Sequence, residues 1–185
     1  MIMTAMNKHV TKLASEFNTG LNMHRNLAEE ATKRGTIAKI TGKARYVWIE
    51  NALDYPRSES QDIDAERDPR KVIDILEKNP KDFSGLIYGV DHAFRAGVDS
   101  LQHFDEFKDE FKTHLRTLHL SGSKGDHGLI EDDDYVFWDF MHSVRDKISD
   151  DVRFCIDLNP AQMDAKTPSE QVDYVKKLVQ KLRRI

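Results

Sequence analysis

Ionisable side chains close each of four short apolar runs in this chain. The run at 45–50 (RYVWIE) ends on Glu50, and the run at 85–90 (GLIYGV) leads into Asp91-His92. The run at 115–120 carries His119, and the run at 152–157 (VRFCID) ends on Asp157. Carboxylates and imidazoles together are the donor set of a divalent-cation site. A carboxylate at the last residue of a buried strand costs free energy unless it is paired or bound to a metal. Between the third and fourth runs lies LHLSGSKGDHGLIEDDD, residues 118–134. It joins His119 to a glycine-rich loop holding Lys124 and His127, and then to an acidic stretch containing Asp132 and Asp134. An imidazole at a strand end, a glycine-rich loop and clustered carboxylates suit a metal site facing solvent at one end of a parallel sheet.

The elements that must position these groups alternate along the chain. Residues 7–34 keep helical spacing through Val10, Leu13, Phe17, Leu21, Leu27 and Ala31, with Gly20 as a weak point and Gly35 as the stop. His9 and His24, within that span, read as surface or packing histidines. Residues 52–67 form a long polar loop, of a length usually associated with function or mobility. Asp68-Pro69 reads as an N-cap followed by a proline at the first helical position, opening a helix that runs to about residue 78. Phe104, Phe107 and Phe111 share a helical face, and Phe137, Met141, Val144 and Ile148 form a second buried stripe. Thr167-Pro168-Ser169-Glu170 is a capping box. It opens a last helix whose expected buried stripe is Val172, Val175, Leu178, Val179 and Leu182. The resulting order is an N-terminal helix and then four strand–helix units, which predicts an α/β fold with a parallel sheet. The C-terminal ends of parallel strands are where such folds place their sites. Cys155 lies inside the last strand and reads as core packing, and Trp48 and Trp138 read as core residues rather than stacking platforms.

The chain has 185 residues, 39% hydrophobic and 32% charged, which fits one folded domain with a real core. A net charge of −4 does not advertise a general nucleic-acid binder, although a local basic groove is compatible with it. The single cysteine excludes an intramolecular disulfide framework and cysteine-rich zinc motifs, and points to a reducing, cytoplasmic setting. No apolar run approaches bilayer-spanning length, so no membrane partner is expected. No P-loop or dinucleotide fingerprint is present.

Three pieces taken together, HAFRAG (92–97), HLSGSKGDHG (119–128) and the spaced Asp132-x-Asp134, resemble endonuclease IV. That is the second family of abasic-site endonucleases, within the xylose-isomerase-like TIM-barrel superfamily. The resemblance extends from about residue 7 to the end of the chain and covers the C-terminal half of the family's barrel. It implies a single domain (1–185) built as a parallel β/α half barrel, its four units resembling strands five to eight. It also implies zinc-dependent cleavage of the DNA backbone at abasic sites. Carried over, Glu50 would bridge two metals, with His119 and Asp157 sharing in the second. His92, Asp132 and Asp134 would hold a third. Glu50 and Asp157 would be the catalytic carboxylates, and Asp91 would stand near the centre. Lys124, Arg95, Lys43 and Arg57 would supply a basic stripe for substrate.

Three positions depart from the family's pattern. Gly89 stands where the family has an aspartate, with Asp91 beside His92 instead. Asp134 replaces a histidine, and Asp157 replaces a glutamate. More oxygen ligation moves preference from Zn²⁺ toward Mn²⁺ or Mg²⁺. The first half of the family's barrel has no counterpart here, so two sheet edges are expected to be open. A homodimer or a separate partner chain would complete the barrel. Two further readings stand beside the nuclease. One is a sugar or sugar-phosphate isomerase or epimerase of the same superfamily, using Glu50, Asp91, His119 and Asp157 as four ligands, one per strand. The other is a non-catalytic half barrel acting as a subunit.

Overall fold

Five short strands pair side by side, all parallel and in chain order, into one sheet. They are β1 (Gly20–His24), β2 (Tyr46–Glu50), β3 (Gly85–Gly89), β4 (Leu115–Leu120) and β5 (Arg153–Ile156). The computed structural model describes residues 20–36, 46–51, 69–95, 99–124 and 127–185. The expected helix before residue 20, the loop at 52–67, the cap at Asp68, and Lys43 and Arg57 lie outside the described residues.

Helices connect the strands: α1 (Arg25–Lys33), α2 (Pro69–Lys78), α3 (Val90–Arg95), α4 (Ser100–Glu106), α5 (Lys108–His114), α6 (Tyr135–Val144), α7 (Pro160–Asp164) and α8 (Pro168–Leu182). This is the α/β architecture expected, a parallel sheet alternating with helices as in half of a β/α barrel. It has one strand more than expected. Residues 20–24 extend as β1 instead of continuing a helix, and the helix begins only at Arg25. The reason is a period of two inside GLNMH. Leu21 and Met23 point into the core, 5% and 0% exposed, while Asn22 and His24 face the other way. Gly35, at φ +59, ends α1 as expected, with its amide donating to Thr32 O at 3.1 Å.

The same alternation sorts every strand. Met23, Val47, Ile49, Leu86, Tyr88, Leu118 and Leu120 face a core shared with the helices. Tyr88, Phe104 and Phe111 form its aromatic centre, with edge-on ring centroids 5.2 Å (Tyr88–Phe104) and 4.6 Å (Phe104–Phe111) apart. Asn22, His24, Trp48, Glu50, His119 and Cys155 line the opposite face.

Capping residues set where helices begin. Thr167 and Glu170 form the expected capping box at α8. Asp99 accepts from the amides of Leu101 (3.0 Å) and Gln102 (3.2 Å), so α4 starts at Ser100.

Three expectations fail at the β5 side. Cys155 is exposed, not packed in a core. Val172 and Val175 are 51% and 37% exposed, and only Leu178 and Leu182 of the α8 stripe are buried. Cys155 lies on the open face of the sheet with Glu50 and His119, away from the helices. β5 is an edge strand among the described residues, so no sixth strand there lies beneath the N-terminal half of α8. A groove of about 500 Å³ opens by the C-terminal end of α8, lined by Ile148, Val152, Phe154, Ile156 and Leu182.

Candidate metal centre

Register brings the strand-end groups together. His24 on β1 is level with Glu50 on β2, Gly89 on β3 with His119 on β4, and His119 with Cys155 on β5. Neighbours in register on a parallel sheet point the same way, so these side chains share one face at the C-terminal end.

Glu50 is at the centre. It is 2% exposed, and Oε2 accepts from Asn22 Nδ2 at 2.6 Å. Oε1 lies 2.9 Å from His119 Nδ1 and 3.7 Å from His92 Nε2, while His24 Nε2 is 3.7 Å from Oε2. Burial alone would raise the Glu50 pKa. The hydrogen bond and positive charge of His119, helped by His92 and Asn22, overcome that and hold it at about 2. Burial pushes His119 the other way, but Cys155 and the Glu50 carboxylate raise it to about 10. Without metal, the two are therefore a buried ion pair carrying one proton.

Asp157 follows β5 at the rim, 3.5 Å from His119 Nδ1, with its side chain 42% exposed. Ligand atoms of Glu50, His119 and Asp157 all lie within 4.8 Å of one another. Donors bound at about 2.1 Å to one cation stand roughly 3.0–3.4 Å apart, so the separations of His119 from Glu50 and Asp157 fit a metal with little movement.

Asp91 and His92 do not follow β3 as strand residues. The strand ends at Gly89 and α3 begins at Val90, so the two occupy one helical turn and can serve a common centre. Asn51 pins this junction: its Oδ1 accepts from the Gly89 amide at 2.6 Å. Gly89 must be small. A Cβ there would meet His92 Cδ2 at 2.5 Å and Glu50 Oε1 at 3.1 Å.

His127 completes a second group with Asp91 and His92, again with ligand atoms all within 4.8 Å. Its Nδ1 is 3.4 Å from Asp91 Oδ2 and 3.6 Å from Asp157 Oδ2, which joins both groups into one cluster.

Other expected site residues stand apart from this cluster. Asp134 caps α6, accepting from Phe137 N at 3.2 Å and from Ser123 N at 2.7 Å, and is 2% exposed. Asp132 faces outward, its side chain 78% exposed and 3.1 Å from Lys181 Nζ, which holds its carboxyl below the usual range. Neither joins His92. Lys124 sits on the loop rim, its side chain 70% exposed and 4.0 Å from Asp133. Arg95 closes α3.

His24 and Asn22 join the site although the helical spacing of residues 7–34 does not mark them, since their stretch is β1. The signal was there, since LNMH also ends an alternating run on an ionisable group. His127 carried a weaker one, an imidazole between glycines beside His119.

No family model, curated protein or solved structure matches the chain. Among the described residues, no helix is long and apolar enough to cross a membrane.

Proposed function

We propose that the chain is a divalent-metal-dependent hydrolase of phosphodiesters, with abasic DNA the first substrate class to test. The observation that carries the metal reading is the convergence of Glu50, His119 and Asp157 at the ends of three strands, two of them neighbours in the sheet. HAFRAG and HLSGSKG support the substrate class. A bound cation, zinc or manganese by its donors, would supply Lewis acidity at the phosphoryl group. The chain's own residues do the rest. Asn22 holds Oε2 of Glu50, which would leave Oε1 and His119 Nδ1 to the cation. Asp157, the exposed member, is placed to take a proton from an entering water. Lys124 and Arg95 lie on the loop and helix that flank the cluster and suit a phosphate backbone.

The test is a duplex carrying one abasic site, incubated with metal-loaded protein. A strand break at that site, lost after chelation and lost in Glu50→Gln, is expected. Breakage retained in Glu50→Gln, or none with metal bound, would overturn the reading.

One observation favours a sugar or sugar-phosphate isomerase instead: Asp132 and Asp134 are turned away, and that reaction needs neither. Aldose–ketose interconversion by the metal-loaded protein, with no DNA cleavage, would establish it.

β1 and β5 have no further strand beside them among the described residues. Both edges run in the same direction as the rest of the sheet, so β1 of a second copy can extend β5 with the parallel pairing used throughout. We therefore assign a second copy to the groove beside α8. Sedimentation should give twice the chain mass, and a folded species of single-chain mass would refute this.

A further inference from the structure

We propose that Cys155 is a positioning residue of the Glu50–His119–Asp157 centre, its thiol holding the His119 ring from the β5 side so that Nδ1 is aimed at the cation. The inference rests on the metal reading of that centre and adds to it a residue outside the carboxylate and imidazole set.

The first observation is what flanks His119 in the sheet. β4 lies between β3 and β5. On the β3 side the residue level with His119 is Gly89. It has no side chain, and Glu50 reaches past it from β2 to bring Oε1 within 2.9 Å of His119 Nδ1. On the β5 side the residue level with His119 is Cys155. Adjacent parallel strands lie about 4.8 Å apart, and residues in register point to the same face. The thiol therefore flanks the imidazole on the side away from Glu50, and the two side chains are hydrogen-bonded.

The second observation is exposure. Free cysteine is among the most buried residue types, yet Cys155 is exposed on the open face of the sheet. Core packing does not account for it there, and contact with His119 does. Burial lowers the His119 pKa, and Cys155 comes first among the groups that raise it, ahead of Glu50.

The physical need is general. An imidazole that binds a metal through one nitrogen donates its other N–H to an outer acceptor, which fixes the tautomer and the plane of the ring. Nδ1 is the nitrogen turned to Glu50 and Asp157, at 2.9 and 3.5 Å. With Nδ1 on the cation, the remaining N–H is the donor left for the Cys155 sulfur. Sulfur is a weak acceptor, but in this register it is the one beside the ring.

The experiment uses the full chain, stripped by chelation and titrated with Zn²⁺ by calorimetry as wild type, Cys155→Ser and Cys155→Ala. Glu50→Gln marks which binding step belongs to this centre. Cys155→Ala should bind zinc there about 10–100-fold more weakly, the cost of losing a group that orients a ligand. Cys155→Ser keeps an acceptor and should recover most of the loss. In the metal-free protein the His119 ring signals in NMR, at one fixed pH, should move in Cys155→Ala and return toward wild type in Cys155→Ser. Circular dichroism checks folding. The chain has a single cysteine, so iodoacetamide gives a second route without a variant. Its thioether, formed with release of iodide, should weaken zinc as Cys155→Ala does. Wild-type zinc affinity in Cys155→Ala would overturn the proposal, and so would unmoved His119 signals in that variant. Wild type that binds no zinc sinks the metal reading instead, and the metal-free signals then still decide whether Cys155 holds the ring.

Discussion

Glu50→Gln is expected to weaken metal binding at the Glu50–His119–Asp157 centre by more than about 100-fold. Loss of a group that only supports a ligand typically costs 10–100-fold. Glu50 is the buried charge itself, and glutamine preserves its shape while removing that charge. The same change should be visible without metal. His119 stands at about 10 because Cys155 and the Glu50 carboxylate outweigh its burial. With Glu50 neutral, that support shrinks, and the His119 pKa should fall markedly, as followed by the imidazole proton shift in NMR. An unmoved His119 would show that Glu50 does not hold the proton. The sign of the stability effect follows from both shifts. The raised His119 stabilises the metal-free fold below its ordinary value of 6.5, and this is lost as pH rises through about 10. The depressed Glu50 stabilises it above its ordinary 4.5, and this is lost as pH falls through about 2. The stability difference between wild type and Glu50→Gln should therefore be greatest between pH 4.5 and 6.5.

Gly89→Ala should damage the site with a small change in the rest of the fold. In a strand, alanine is ordinarily no worse than glycine, because it lowers the entropy of the unfolded chain. At this position the new methyl would enter the His92 ring, 2.5 Å from Cδ2, and crowd Glu50 Oε1 at 3.1 Å. His92 is only 9% exposed, so its ring has little room to withdraw. Overpacking of this kind costs about 1–3 kcal/mol. Displacing His92 should lower the zinc affinity of the Asp91–His92–His127 group by about 10–100-fold, the range seen when a metal ligand is mis-oriented. Thermal unfolding and zinc titration of the same variant measure both. Unchanged zinc affinity would mean that His92 is not a ligand.

Much of this arrangement is legible from residue order. Runs such as RYVWIE and VRFCID announce strands that lead to carboxylates, and Thr167-Pro168-Ser169-Glu170 announces a helix start. These signals are local, decided by a period of two or by a hydrogen bond spanning three residues. The pairing of Glu50 with His119 was also within reach, because a parallel sheet aligns the C-terminal ends of its strands whatever the loops do.

Other features depended on the folded chain. GLNMH fits a helical and an alternating pattern about equally over so short a span, and pairing against β2 selected the strand. Asp134 has the chemistry of a ligand and of a helix cap. The amides of Phe137 and Ser123 claimed it, because unsatisfied donors at a helix start compete for the nearest carboxylate. His127 became part of the cluster through a loop closed by two glycines, a contact set by backbone clearance that residue types alone do not report. Cys155, Val172 and Val175 have apolar character suited to a core, yet they are exposed. Burying the two valines would require a strand beyond β5 and burying Cys155 a cover over the open face of the sheet. Burial is a property of what lies next in space, which the order of residues along one chain does not contain.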